Sequence, residues 1–212
     1  MIIIDFDDTL FDTQRLKHTR ADALFTLGVP ADLYWETYNE ARRNVDGDYV
    51  YSSQRQAQLL SEHGFDIQQI LNALETTTSH TSLCSFLLPF AESLLQYLQS
   101  LGQPIVLLST GDPDFQTIKI KGSGISQYFE RLILVNGSKE EALRTLFEKY
   151  DEDSTWFIND KVGETLELQS MFPKMHIVLK KSPKILLEEY IQSGLPYFEK
   201  LDEIKQYVQR FA

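Results

Sequence analysis

The chain has 212 residues, with 20 Lys and Arg against 31 Asp and Glu, a formal charge of −11, and 42% hydrophobic and 24% charged residues. That composition excludes a largely disordered or fibrous chain, and the acidic balance repels polyanions and argues against a nucleic-acid polymer as partner. The single cysteine, Cys84, excludes an internal disulfide and reads as a buried small apolar residue.

The opening segment MIIIDFDDTL has neither the basic region nor the long apolar run of a secretion signal. No stretch reaches the roughly 18 apolar residues that cross a bilayer. The expectation is a cytoplasmic protein without a membrane partner.

Taken in chain order, Met1–Ile4 is the first apolar run of strand length. From about Thr13 to Leu88 no strand run follows. Helical spacing appears instead, in Leu16 with Ala23, Leu24 and Leu27, in Leu33 to Ala41, in Ala57 to Leu60 and in Ile67 to Leu74. The interval is too long for a βα connection and reads as an inserted helical subdomain, with the Thr-rich stretch Thr76–Ser82 leading back. Next come a helix Phe90–Leu101 closed by Gly102, strands Ile105–Leu108 and Leu132–Val135, and a helix Glu140–Tyr150. Strands Trp156–Ile158 and His176–Leu179 follow, and a tail helix starts at about Asp202. Strand runs separated by helical patterns predict an α/β fold, a doubly wound parallel sheet in three layers.

Ligands of such sheets bind beyond the carboxyl ends of the strands, and those positions are polar here. After Ile4 stand Asp5 and Asp7, with Asp8 and Thr9 beside them; after Leu108 stand Ser109 and Thr110; after Ile158 stand Asn159 and Asp160. Behind Val135 lies Lys139, where Ser138 and Glu141 fit a capping box that would put the lysine in a first helical turn. Aspartates at the ends of neighbouring strands repel each other unless a cation lies between them. Magnesium, which takes few carboxylates, several waters and a phosphate oxygen, suits Asp5 and Asp160. A phosphoryl group there would need the Ser109 hydroxyl, the Lys139 charge and backbone N–H groups. A carboxylate in line with phosphorus can act as nucleophile if a second acid serves the leaving oxygen. Asp5 and Asp7 can share that work only if the strand has already ended.

The run Asp5-Phe6-Asp7-Asp8-Thr9 resembles the DxDxT signature of the haloacid dehalogenase-like (HAD) hydrolases. Leu108-Ser109-Thr110, Ser138-Lys139 and Asn159-Asp160 with Glu164 resemble that superfamily's three further motifs, in its order. The resemblance implies a Rossmann-like core of residues 1–13 and 86–212, with a helical cap of residues 14–85 inserted between the first two motifs. It further implies Asp5 as nucleophile and magnesium ligand. Asp7 would be the general acid and base, with its backbone carbonyl on the metal; Ser109, Thr110 and Lys139 would hold the phosphoryl group. Asp160 would be a metal ligand, with Glu164 behind it. Dehalogenase members lack the second acid, so the likeness points to a phosphatase. Asn159 stands where Gly is usual and Glu164 where Asp is more common. The expected activity is magnesium-dependent hydrolysis of a small phosphate ester. A catalytically weak binding or regulatory module, or a transferase to an acceptor other than water, stays open beside it.

In the inserted segment Arg15, Lys17, His18, Arg20, Arg42, Arg43 and Arg55 are candidates for an anionic substrate, each reading first as part of a solvated helix face. Tyr34, Trp35, Tyr38, Tyr49 and Tyr51 read first as the insert's own core. His63, His80 and His176 show no ligand spacing.

Overall fold

The computed structural model describes residues 1–42 and 51–211. Arg43 and Tyr49 lie outside the described residues. Six strands, β1 (Ile2–Ile4), β2 (Ile105–Thr110), β3 (Arg131–Val135), β4 (Trp156–Asn159), β5 (His176–Lys180) and β6 (Tyr197–Phe198), form one sheet in the order β3-β2-β1-β4-β5-β6. Every pairing is parallel. This α/β arrangement bears out the expected doubly wound sheet. Because β1 lies between β2 and β4, the order reverses at its end, the place where such sheets open a crevice.

Successive side chains of a strand point to opposite faces, and β1 shows how this builds three layers. Ile2 and Ile4 pack with Leu94, Leu95 and Leu98 of helix α6 (Ala91–Ser100) and Ile204 of helix α11 (Leu201–Phe211). Ile3 packs on the other face with Leu143 and Leu146 of helix α8 (Glu140–Phe147) and Leu168 of helix α9 (Val162–Met171). Helix α7 (Pro113–Gly122) follows β2, and α10 (Leu187–Ser193) follows β5.

Between β1 and β2 the chain forms α1 (Thr13–Phe25), α2 (Ala31–Ala41), α3 (Ser53–Ser61), α4 (Ile67–Thr76) and the short α5 (His80–Cys84). Asp12, Ser52, Asp66 and Ser79 cap four of them, each side chain accepting from the amide three residues on. These helices have their own core of Leu24, Tyr34, Tyr38, Leu60, Ile70 and Leu74, whereas Leu16 and Leu83 pack with the sheet-side cluster. The outgoing and returning passages run side by side: Phe11 bridges Leu87, the Asp12 amide donates to Phe86 O at 2.7 Å, and the Leu88 amide donates to Leu10 O at 2.9 Å.

Four sequence expectations are corrected. Phe90 is not on the buried face of α6; it is a left-handed residue (φ 70°), 52% exposed, ahead of the helix. The Ser138–Glu141 capping box does not form: Ser138 Oγ accepts from the Glu140 amide at 3.1 Å, and Lys139 stands before α8, not in its first turn. The helix expected to reach Tyr150 ends at Phe147, because the Lys149 amide turns to Leu146 O, three residues back, and breaks the run of four-residue helical bonds. Cys84 is half-buried, not buried, since it lies in the short α5 against the Gly122 carbonyl. Among the described residues no helix is long and apolar enough to cross a membrane.

Candidate active site

The site grows from the end of β1. The Asp5 amide still donates to Ile158 O at 2.9 Å, but then the amides of Thr9, Leu10 and Phe11 all converge on Phe6 O, and Asp8 takes the left-handed region (φ 58°). Asp tolerates that conformation because its short polar side chain bonds locally; here Asp8 Oδ1 accepts from the Thr13 amide at 3.2 Å. The turn ends the strand at Ile4, which meets the condition set for Asp5 and Asp7 to divide the work, and both side chains line one cavity.

Lys139 is fully buried beneath Asp5. Its Nζ lies 2.6 Å from Asp5 Oδ1, 3.0 Å from Glu164 Oε2 and 3.2 Å from Asn159 Oδ1. A buried ammonium is tolerated only when paired and fully hydrogen-bonded, and these three acceptors do that. Burial alone would push the Lys139 ammonium down, but Asp5 and Glu164 outweigh it and hold the group above the usual lysine range. Asn159 closes the ring by donating to Glu164 Oε2 and to Thr165 Oγ1, both at 2.9 Å. Its amide does what a glycine could not, joining the lysine to the second carboxylate.

Asp7 is held differently. Its Oδ1 accepts from Thr13 Oγ1 at 2.7 Å and pairs with Lys119 Nζ at 2.5 Å, and its Oδ2 accepts from Gln116 Nε2 at 2.7 Å. Burial would raise the carboxyl, but Lys119 and these hydrogen bonds hold it below the usual carboxylate range. Gln116 Nε2 also reaches Ser109 Oγ at 3.2 Å and Thr110 O at 2.9 Å, so one amide links the two strand ends. Lys119 and Gln116 went unseen in the sequence. Their spacing of three on α7 places them on one face, a signal readable only once that helix is positioned.

Asp160 follows β4 and is buried, its backbone carbonyl accepting from Tyr190 Oη at 3.1 Å. Its Oδ1 has no hydrogen-bond partner among the described residues. Burial first, then the nearby Asp5 and Asp8 carboxylates, push its carboxyl up to about 8.

A cavity of about 500 Å³ opens over these groups. Asp5, Asp7, Ser109, Thr110 and Asp160 line it from the sheet side. Lys139 meets it only through Asp5, with Glu164 tied to Lys139 and Asn159 behind. Lys184 also lines it and pairs with Asp8. From the helical side come Lys17, Arg20, Tyr38, Arg42 and Tyr51. The other basic candidates are elsewhere: Arg15 donates to Ser85 O at 2.8 Å, His18 meets the Trp35 ring edge to face, and Arg55 pairs with Glu40 at 3.2 Å.

The donors fit a hard cation. Among the described residues no three His, Cys, Asp or Glu side chains gather to hold a metal, and Asp7 has both carboxylate oxygens engaged. Asp8 likewise has both oxygens engaged, by the Thr13 amide, Gln14 and Lys184, whereas Asp5 Oδ2 accepts only a long hydrogen bond from Thr9 Oγ1 at 3.3 Å, and the buried oxygen of Asp160, unpartnered among the described residues, is what a cation would satisfy. Few carboxylates completed by water and substrate oxygens is a magnesium pattern, not a zinc one.

No protein-family model and no curated protein matches the chain. Solved structures do. A haloacid dehalogenase-like hydrolase from Burkholderia xenovorans superposes with a TM-score of 0.74 at 23% identity, over 97% of this chain and 94% of that one. A HAD hydrolase from Bacillus subtilis, bound to magnesium, gives 0.61 at 18% identity over 97% and 96%. The L-2-haloacid dehalogenase of Xanthobacter autotrophicus gives 0.64 at 15% over 100% and 98%. The chain therefore has the fold of the HAD-like hydrolases from end to end.

Proposed function

We propose that this protein is a magnesium-dependent hydrolase of a small phosphate monoester that works through a covalent phosphoryl group on Asp5. The observation that carries this reading is the placement of the buried Asp5 carboxylate at the end of the central strand, 2.6 Å from a fully buried lysine. It shares one cavity with Asp160, whose buried Oδ1 lacks a partner among the described residues. The resident lysine neutralises one charge of the pair, and a divalent cation on Asp5, Asp160 and the Asp7 backbone carbonyl would supply the rest, allowing a phosphoryl dianion to approach two carboxylates.

The residues divide the work as follows. Asp5 forms the new O–P bond as the ester P–O bond breaks, and the leaving oxygen takes a proton from Asp7. Asp7 then removes a proton from the water that attacks phosphorus and frees Asp5. Ser109, buried at the end of β2, donates to the phosphoryl oxygens, with Thr110 beside it. With Lys119 at 2.5 Å, Asp7 is poised as the base. Its acid half needs a proton, and an entering phosphate supplies the like charge that favours one. Asp7 also separates this reading from dehalogenation, which needs no proton for a departing halide. The proposed partner is a small phosphorylated molecule, not a nucleic acid or a membrane, and the proposed compartment is the cytoplasm, where the lone thiol of Cys84 stays reduced.

The test is phosphate release from an aryl phosphate and a broad panel of esters with magnesium. Asp5→Asn should abolish turnover and Asp7→Asn should cut it by more than about 100-fold. Silence across the panel, or full turnover in Asp5→Asn, would defeat the proposal.

A further inference from the structure

The helical wall of the cavity carries cations that no ion pair among the described residues balances. Lys17 and Arg42 both line it beside the Tyr38 ring, with Lys17 Nζ 5.9 Å and the Arg42 guanidinium 5.7 Å from the ring centroid. Neither side chain has an ion-pair or hydrogen-bond partner among the described residues, whereas Lys119 and Lys184 on the opposite wall are each paired with a carboxylate. Arg20, behind them, is buried among neutral acceptors: its guanidinium donates to Tyr51 Oη at 2.8 Å and Ser53 Oγ at 2.7 Å, and its buried Nε has no partner among the described residues. Burial, then the charges of Lys184 and Arg42, push the Lys17 ammonium down to about 8. Cations drawn together on a half-buried wall of a chain with net charge −11 cost stability unless an anion joins them.

We propose that Lys17 and Arg42 bind a second anionic group of the substrate, at the end remote from the phosphoryl group that Asp5 receives. The inference rests on the hydrolase reading and narrows it: the ester carries a carboxylate or a further phosphate on a short chain, its stem lying along the Tyr38 ring. Carboxylate and phosphate share the chemistry that two unpaired cations recognise, and the compounds tested tell them apart.

Three esters of equal length should be compared with the full-length enzyme and magnesium: a phosphorylated hydroxy acid, an alkyl bisphosphate and a neutral alkyl phosphate. One of the anionic compounds should exceed the neutral one in kcat/KM by about tenfold or more, the yield of a charged hydrogen bond converted to a ratio. Lys17→Met and Arg42→Met should each collapse that ratio towards one. In addition, Lys17→Met should raise the melting temperature of the ligand-free protein, because it removes repulsion; a merely structural lysine would lower it. Equal kcat/KM for all three esters, with turnover intact, overturns the inference and leaves the hydrolase reading standing. If none of the three turns over, the aryl phosphate and the broad ester panel decide the hydrolase reading, and calorimetry with the same three compounds decides the inference. Binding that depends on the anionic tail and is lost in Lys17→Met supports it, and tail-independent binding sinks it.

Discussion

Asp160 lets the electrostatics of the site be read as stability. An unfolded aspartate titrates near 3.9, and in the folded chain burial with Asp5 and Asp8 moves this one up to about 8. Between those two values the native state binds more protons than the unfolded state, so this group's contribution to stability falls as pH rises through that window and is constant above it. In Asp160→Asn that slope disappears. Without divalent ions, urea midpoints should show the variant gaining on the parent from pH 5 to pH 8, and millimolar magnesium should shrink the gap at pH 8. A gap that does not change with pH would mean the carboxyl is not burdened as described. The same scale shows what the sequence reveals of the site. Asp5, Asp7, Ser109, Thr110 and Asp160 are legible because each ends an apolar run, and strand ends are where such sheets bind. Lys119 and Gln116 are not, because one lysine among several on a helix shows no destination until helix and sheet are packed.

At the scale of elements, the strands are the most legible parts: five apolar runs appear as β1 to β5, of which β1, β2, β4 and β5 are buried on both faces as parallel strands are, while β3 at the sheet edge is half-buried with Arg131 exposed. The sixth, Tyr197–Phe198, has two residues and pairs at the sheet edge through Leu179 and Lys180, too short to leave a pattern. Helix α10, before it, earns its place through one side chain. Tyr190 is fully buried; its hydroxyl accepts from the Ser182 amide at 2.8 Å and donates to Asp160 O at 3.1 Å. It thus pins the loops after β5 and β4, both of which line the cavity. Tyr190→Phe leaves the buried Ser182 N–H without an acceptor, for which about 1–3 kcal/mol is the expected cost. Denaturant unfolding should register that loss, and turnover should fall several-fold as Asp160 loosens. Unchanged stability would mean that water replaces the hydroxyl.

At the scale of the whole molecule, the topology makes the site a joint product of two cores. The sheet supplies the reacting groups and the helical insert supplies Lys17, Arg42 and Tyr38, while the chain leaves and re-enters the sheet layer at adjacent points. Because the Asp12 amide donates to Phe86 O at 2.7 Å and Phe11 makes an antiparallel bridge to Leu87, residues 13–85 can be replaced by a short Gly-containing turn between two chain passages already hydrogen-bonded to each other. Closing a loop of a few residues costs less entropy than ordering the long one it replaces. The replacement removes Leu16 and Leu83 from the sheet-side cluster, so the trimmed chain should melt at a lower temperature than the parent, yet cooperatively. It keeps Asp5, Asp7, Ser109, Lys139 and Asp160 and should retain slow, magnesium-dependent turnover of an aryl phosphate. It loses Thr13 from Asp7 and the wall that excludes water, so the rate should drop by orders of magnitude, and preference for an ester with a second anionic group should vanish with Lys17 and Arg42. Circular dichroism melting and steady-state kinetics measure both outcomes. A trimmed chain that fails to melt cooperatively would show the two cores to be one folding unit, and one that kept the preference would move the anion site into the sheet layer.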